Sequence, residues 1–274
     1  MNASKPVLIA TDGSSHSHGV LPHAALLAQA LEAPLILVQV TDGPEADAER
    51  ARTGAAYAVQ RLGAEAEVVI EAREADERTA DALLRVAGRL DAAVLAMDSR
   101  GHGALRHALH GSVALDVLKT ASLPLLVSGP NLEPAGREAT AYRVVATSDG
   151  SAASEALLRE LGALSEAIEV TLLRVHEHEP GGMDDEAAVQ KCREELETAR
   201  RLLPESMKVE IVVREIPRGA GVDTAIIEEA QELGAHAIAM STHGHSARRH
   251  VVLGSVALTL LGRSPFPLLL ARAV

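Results

Sequence analysis

The chain has 274 residues, 26 of them basic and 38 acidic, for a formal charge of −12. That balance argues against broad binding to DNA, RNA or an anionic membrane, and no apolar run is long enough to span a bilayer. A lone cysteine, Cys192, excludes an intrachain disulfide, and with no signal-peptide pattern in MNASKP the chain reads as cytoplasmic.

Val7-Leu8-Ile9-Ala10 is a short buried-strand run that ends in Thr11-Asp12-Gly13-Ser14, a stretch with turn and helix-cap chemistry. Residues 15–32 carry Val20, Ala24, Leu27, Ala28 and Leu31 at helical spacing, and Pro34 stops the pattern. Leu35 to Val40 reads as a second strand, followed by a charged, Ala-rich helix to about Leu62. Val68-Val69-Ile70 makes a third strand and Asp76 to Arg89 another helix. Ala92 to Ala96 is a fourth strand feeding a glycine loop, a helix follows from Ser112, and Pro124 opens a fifth strand, Leu125 to Val127. Gly129 to Gly136 has linker composition, and the same order then recurs. Its strand runs start at Val144, Val170, Val209, Ala237 and Leu268. The domains are therefore set at 1–129 and 142–274, joined by a linker over 130–141.

The second half repeats the first in detail. Gly101, His102, Arg106, His107, Gly111 and Ser112 recur as Gly244, His245, Arg249, His250, Gly254 and Ser255, at a constant offset of 143 residues. Thr11-Asp12-Gly13-Ser14 returns as Ser148-Asp149-Gly150-Ser151. Two motifs in one order, twice, mean an internal duplication. Continuous apolar strands alternating with amphipathic helices predict, in each half, an α/β fold: a parallel sheet with helices on both faces. Ligands of such sheets bind beyond the carboxyl ends of the strands, where the strand order reverses.

Gly111-Ser112 and Gly254-Ser255 stand where a helix starts, so unpaired N–H groups and the positive end of the helix dipole favour an anion there. Asp12 and Asp149 read either as caps of the next helix or as ligand contacts. Arg106 and Arg249 read equally as solvated loop residues or phosphate contacts. His16/His18, His176/His178 and His243/His245 form His-x-His pairs without an acidic or cysteine partner at structural-zinc spacing, and no native metal site is expected from them. The aromatics are only Tyr57, Tyr142 and Phe266, so a planar ligand must be gripped by aliphatic side chains and backbone; Tyr57 and Phe266 read as core or interface residues.

The Asp-Gly-Ser turn after strand one, the Gly-9x-Gly-Ser loop after strand four and the order of five strands resemble the universal stress protein family, and two copies resemble its tandem members. The resemblance implies a strand order of 3-2-1-4-5 in each domain and a pseudo-dimer paired through the fifth strands. It also implies a stress-response protein, not an enzyme, that binds an adenine nucleotide, ATP, with Mg2+ as an admissible bridging ion. Carried onto this chain, the binding residues are Asp12, Val40, Gly101, Gly111, Ser112 and Val113 in the first half. The second offers Asp149, Val175, Gly244, Gly254, Ser255 and Val256. The family's Gly-2x-Gly begins here with Asp98 and Ser241 instead of glycine. A carboxylate beside phosphate is unfavourable, so the second domain is expected to bind better. The competing reading is an interaction scaffold of the same fold without nucleotide. Two tandem chains pairing into a homodimer is a further expectation.

Overall fold

The computed structural model describes residues 4–14, 17–42, 45–62, 64–100, 112–135, 141–178, 185–242 and 253–271. The first half runs β1 (Val7–Ala10), α1 (Leu21–Ala30), β2 (Leu35–Thr41), α2 (Glu45–Leu62), β3 (Glu67–Ala72), α3 (Thr79–Arg89), β4 (Val94–Asp98), α4 (Ser112–Thr120) and β5 (Leu125–Ser128). The second runs β6 (Tyr142–Thr147), α5 (Ala152–Leu164), β7 (Ile168–His178), α6 (Asp185–Arg200), β8 (Val209–Pro217), α7 (Val222–Glu232), β9 (Ala237–Ser241), α8 (Ser255–Arg263) and β10 (Leu268–Ala271).

All ten strands form one sheet in the order β3-β2-β1-β4-β5-β10-β9-β6-β7-β8, which is 3-2-1-4-5 read outward-in from each edge. Within each half every pairing is parallel; the β5–β10 junction alone is antiparallel, with Leu126 opposite Leu269. The halves thus pair fifth strand to fifth strand, as the resemblance implies. Each fifth strand starts after a proline, whose missing N–H costs nothing at a strand's first position. The carbonyls of Pro124 and Pro267 are still used, accepting from Leu95 and Ile238 at 3.1 Å.

The fully buried strands explain themselves by alternation. Val7 and Ile9 of β1 pack with Leu21, Ala24 and Leu27 of α1 and Ala55 and Ala58 of α2 on one face. Leu8 and Ala10 pack with Leu83 and Val86 of α3 and Val117 and Leu118 of α4 on the other. Each core runs through both halves. At roughly 25 cal/mol per Å2 of apolar surface removed from water, these two aliphatic layers are the main stabilising term.

Three expectations need correction. The first helix starts at Leu21, not near residue 15. The Ser17 hydroxyl bonds the Ser14 carbonyl (2.9 Å), the Ser14 hydroxyl accepts from the Ser17 N–H (3.2 Å), and Gly19 follows where the second half has Ala156. Ser151 and Ser154 make the same two bonds where α5 starts, so the difference lies in Gly19, worth about 1 kcal/mol against helix, and in Pro22, which fits only the first turn. Tyr57 is 55 % exposed, so it is not part of the core, whereas Phe266 packs partly buried on the second face. Strands β7 and β8 extend well past the apolar runs, pairing as far as His178 with Pro217, because cross-strand bonds tolerate the mixed side chains of a sheet edge. Among the described residues no helix is long and apolar enough to cross a membrane.

Candidate functional site

The Asp149 turn begins where β6 leaves the sheet. Gly150 takes φ +77°, which a side chain would oppose, and its N–H reaches the Ser148 hydroxyl at 3.4 Å. Asp149 Oδ1 accepts from the Ser151 N–H at 3.0 Å and the Ser151 hydroxyl at 2.5 Å. Ser151 in turn caps α5, its hydroxyl accepting from the Ser154 N–H at 3.2 Å. Asp12 holds the matching turn: Gly13 has φ +76°, and Asp12 Oδ1 accepts from the Ser14 N–H at 2.9 Å. Both aspartates therefore close their turns by accepting from the N–H two residues on, while the helix caps are Ser151 for α5 and Val20 for α1, and both aspartates stand at the carboxyl end of a central strand.

The second motif of the later half arrives from β9. Gly254 is the N-cap of α8, at φ −62° and ψ 159°, and its N–H donates to the Thr242 carbonyl at 2.8 Å. A Cβ there would lie 3.8 Å from that carbonyl, an ordinary contact, so it is the lack of a capping side chain that matters. Among the described residues no side chain caps α8, and the N–H groups of Ser255, Val256 and Ala257 have no acceptor within the helix.

Both motifs open on one cleft of about 1040 Å3. Asp149 and Gly150 form one end and Gly254 to Ala257 the other; Leu173, Val175, Met240 and Ser241 form the floor. The wall is a face of α6 carrying Lys191, Glu194, Glu195 and Thr198. Of the second-half candidates, Asp149, Val175, Gly254, Ser255 and Val256 thus share one space, and Gly244 lies outside the described residues.

In the first half, Asp12 and Val40 occupy matching places. Ala10 faces Val38 across β1–β2 and Thr147 faces Leu173 across β6–β7, so Val40 and Val175 each stand two residues further on. Ser112 opens α4 and Val113 is half-buried in its first turn. Gly101, Gly111, Arg106, Arg249, His16, His243 and His245 lie outside the described residues.

Asp98 departs from its expected environment. The sequence predicts a bare charge beside phosphate, yet its side chain is 1 % exposed and fully engaged. Oδ1 accepts from the Arg100 N–H (2.8 Å) and Nε (3.0 Å), and Oδ2 from Arg100 Nη2 (3.2 Å) and the Ser128 hydroxyl (2.7 Å). Burial of a charge is tolerated when it is paired and hydrogen-bonded in this way. The second half has Ser241 and Ala271 at the positions of Asp98 and Ser128, so acid and hydroxyl are lost together. That joint change is visible in the sequence once the repeat is aligned, although its meaning is not.

Arg174 was also missed. From β7 its Nη1 donates to the Ser148 carbonyl at 3.1 Å, while Nη2 lies 3.7 Å from Glu195 of α6. It fastens the Asp149 turn to the α6 wall, and its first-half counterpart is Gln39, beside Gly13. A charged residue following Leu172-Leu173 at the working end of a strand was the signal available.

The universal stress protein family model matches residues 3–128 and again 142–272. No curated protein matches the chain. Among solved structures, the chain is similar to a universal stress protein from Archaeoglobus fulgidus DSM 4304, at 19 % identity and a TM-score of 0.64, covering 98 % of each chain. A functionally unknown protein from Pseudomonas aeruginosa PAO1 superposes with a TM-score of 0.64 at 16 % identity, over 98 % of this chain and 93 % of its own. A universal stress protein from Archaeoglobus fulgidus in complex with dAMP is 26 % identical over 44 % of this chain and 95 % of its own, with a TM-score of 0.38. With the family's domain matched twice across nearly its whole length, the chain belongs to the universal stress protein family.

Proposed function

We propose that the protein is a stress-response module whose second domain binds an adenine nucleotide, ATP with Mg2+ as an optional partner, and acts through binding rather than turnover. The carrying observation is that the Asp149 turn and the uncapped start of α8 open on a single cleft with an aliphatic floor. In this reading Leu173, Val175 and Met240 pack against the base, Asp149 addresses its polar edge, and the N–H groups of Ser255 to Ala257 hold phosphate. Gly244 completes the phosphate loop. The first domain, with Asp12, Val40, Gly101, Gly111, Ser112 and Val113, is the weaker binder, because the Asp98–Arg100–Ser128 cluster fills the corner that Ser241 leaves small.

Because the donors are mainly backbone N–H groups, selection is by geometry and screening costs little. Titration with ATP, GTP and inorganic polyphosphate at low and high salt tests this. ATP bound most tightly, with a shallow salt dependence, is the expected result. Equal binding of all three with steep salt dependence would show a charge-driven site and refute the reading.

A further inference from the structure

The linker does more than join the domains. After β5 it follows α8: Asn131 Nδ2 donates to the Gly262 carbonyl (2.7 Å), and the Glu133 N–H donates to the Pro265 carbonyl (2.9 Å). The Glu133 carbonyl then accepts from Nε2 of His23, 2.9 Å away in the other domain. The linker therefore lies in a groove of the second domain, and a space of about 410 Å3 remains there beside Asn131 and Glu133.

The first domain has the same groove, and among the described residues no chain segment lies along it. Leu84, Gly88, Thr120 and Ser122 line a space of about 580 Å3, at the positions of Ile227, Gln231, Arg263 and Pro265 that line the linker's groove. The equivalence is fixed by the sheet, since the Ala93 N–H donates to Pro6 at 2.9 Å as the His236 N–H does to Arg143 at 2.8 Å. Two further exchanges keep this groove open. Ala93 replaces His236, and Lys5 replaces Tyr142, so the stacked Tyr142–His236 pair (5.3 Å between centroids) has no counterpart. Lys5 turns instead to Asp91 at 2.9 Å on the rim.

We infer that this groove of the first domain is a docking site for an extended peptide segment of a partner protein, carrying a Lys or Arg. The extended shape follows from the linker, which fills the equivalent groove through main-chain bonds. The basic side chain follows from charge: the position of His23 is held here by Glu160, which lines the groove and is exposed. A carboxylate there repels the backbone carbonyl that the linker presents and calls for a donor in its place. Lys5, which lines the same groove, pairs with Asp91 and not with Glu160. None of this depends on the nucleotide reading.

The test uses the full chain and two fluorescent peptides as probes, one with the sequence of residues 129–135 and one with Glu133→Lys in it. Saturable one-to-one binding of the Glu133→Lys peptide, tighter than that of its parent, is expected by fluorescence anisotropy. Gly88→Phe should weaken it at least about tenfold, a loss of ~1.4 kcal/mol. A Cβ on Gly88 meets nothing within 4 Å, so this variant should fold, and circular dichroism controls for it. Glu160→Gln should remove the preference for the basic peptide while leaving residual binding. Absence of saturable binding, or binding unchanged in Gly88→Phe, overturns the inference. Self-association of the chain that Gly88→Phe abolishes also overturns it, placing a second copy in the groove.

Discussion

Asp98 shows how the two copies of a repeat diverge in side-chain contacts. Its carboxylate is buried and depends on Arg100, whose side chain is 28 % exposed. Removing one member of a buried pair is costly because the remaining charge stays desolvated. Arg100→Ala is expected to destabilise the protein by about 2–3 kcal/mol, read as a shift of the urea midpoint at unchanged slope. An unchanged midpoint would mean that water replaces the guanidinium. The aspartates of the two turns were legible in the sequence, as were Gly254 and Ser255, because turn and cap chemistry is local. Ser128 and Arg174 were not, because each acts across strands: Ser128 reaches Asp98 over 30 residues and Arg174 reaches Ser148 over 26. Arg100 lies two residues from Asp98, but its pairing gains meaning only from the burial of that carboxylate.

At the scale of elements, two glycines separate packing from propensity. A Cβ on Gly129 would sit 1.8 Å from the Leu261 carbonyl, so the linker could not lie against the last turn of α8. Gly129→Ala should cost about 2 kcal/mol or more through overpacking. Gly88→Ala, in the open last turn of α3, should stabilise by up to about 1 kcal/mol. Thermal melts of the two variants moving in opposite directions would bear this out; both moving the same way would not.

The helix carrying His23 also gives the domain contact a pH dependence. Burial lowers the pKa of His23, partly opposed by its bond to the Glu133 carbonyl. Burial likewise lowers His236, helped by the charges of Arg143 and His23. Both imidazoles are therefore held neutral in the fold below the pH at which they ionise in the unfolded chain. Their contribution is intact above about pH 6.5 and is lost as pH falls below that value. Melting temperature should drop between pH 7.5 and 5.5, and His23→Gln, which keeps a donor for Glu133, should drop less. Equal losses in both proteins would locate the titration elsewhere. The strands and most helices were readable from period and punctuation, and the order of the strands in the sheet from the family resemblance. The start of α1 at Leu21 was the exception: Gly19 and Pro22 set it, and the apolar spacing that runs through them hid it.

At the scale of the molecule, the antiparallel β5–β10 junction turns a duplicated chain into one continuous sheet. The duplication places the two repeated motifs at opposite ends of that sheet, and they diverge at Asp98/Ser241 and Ser128/Ala271. The most direct test is calorimetric titration of ATP into the full chain, compared with Ser255→Asp and Ser112→Asp. An acidic residue at the first turn of a helix favours the helix but repels phosphate, so each variant should remain folded while losing its own anion site. One dominant site per chain, weakened at least about tenfold by Ser255→Asp and unaffected by Ser112→Asp, is the result expected. Binding that survives Ser255→Asp unchanged, or that Ser112→Asp abolishes, would contradict a nucleotide site in the second domain.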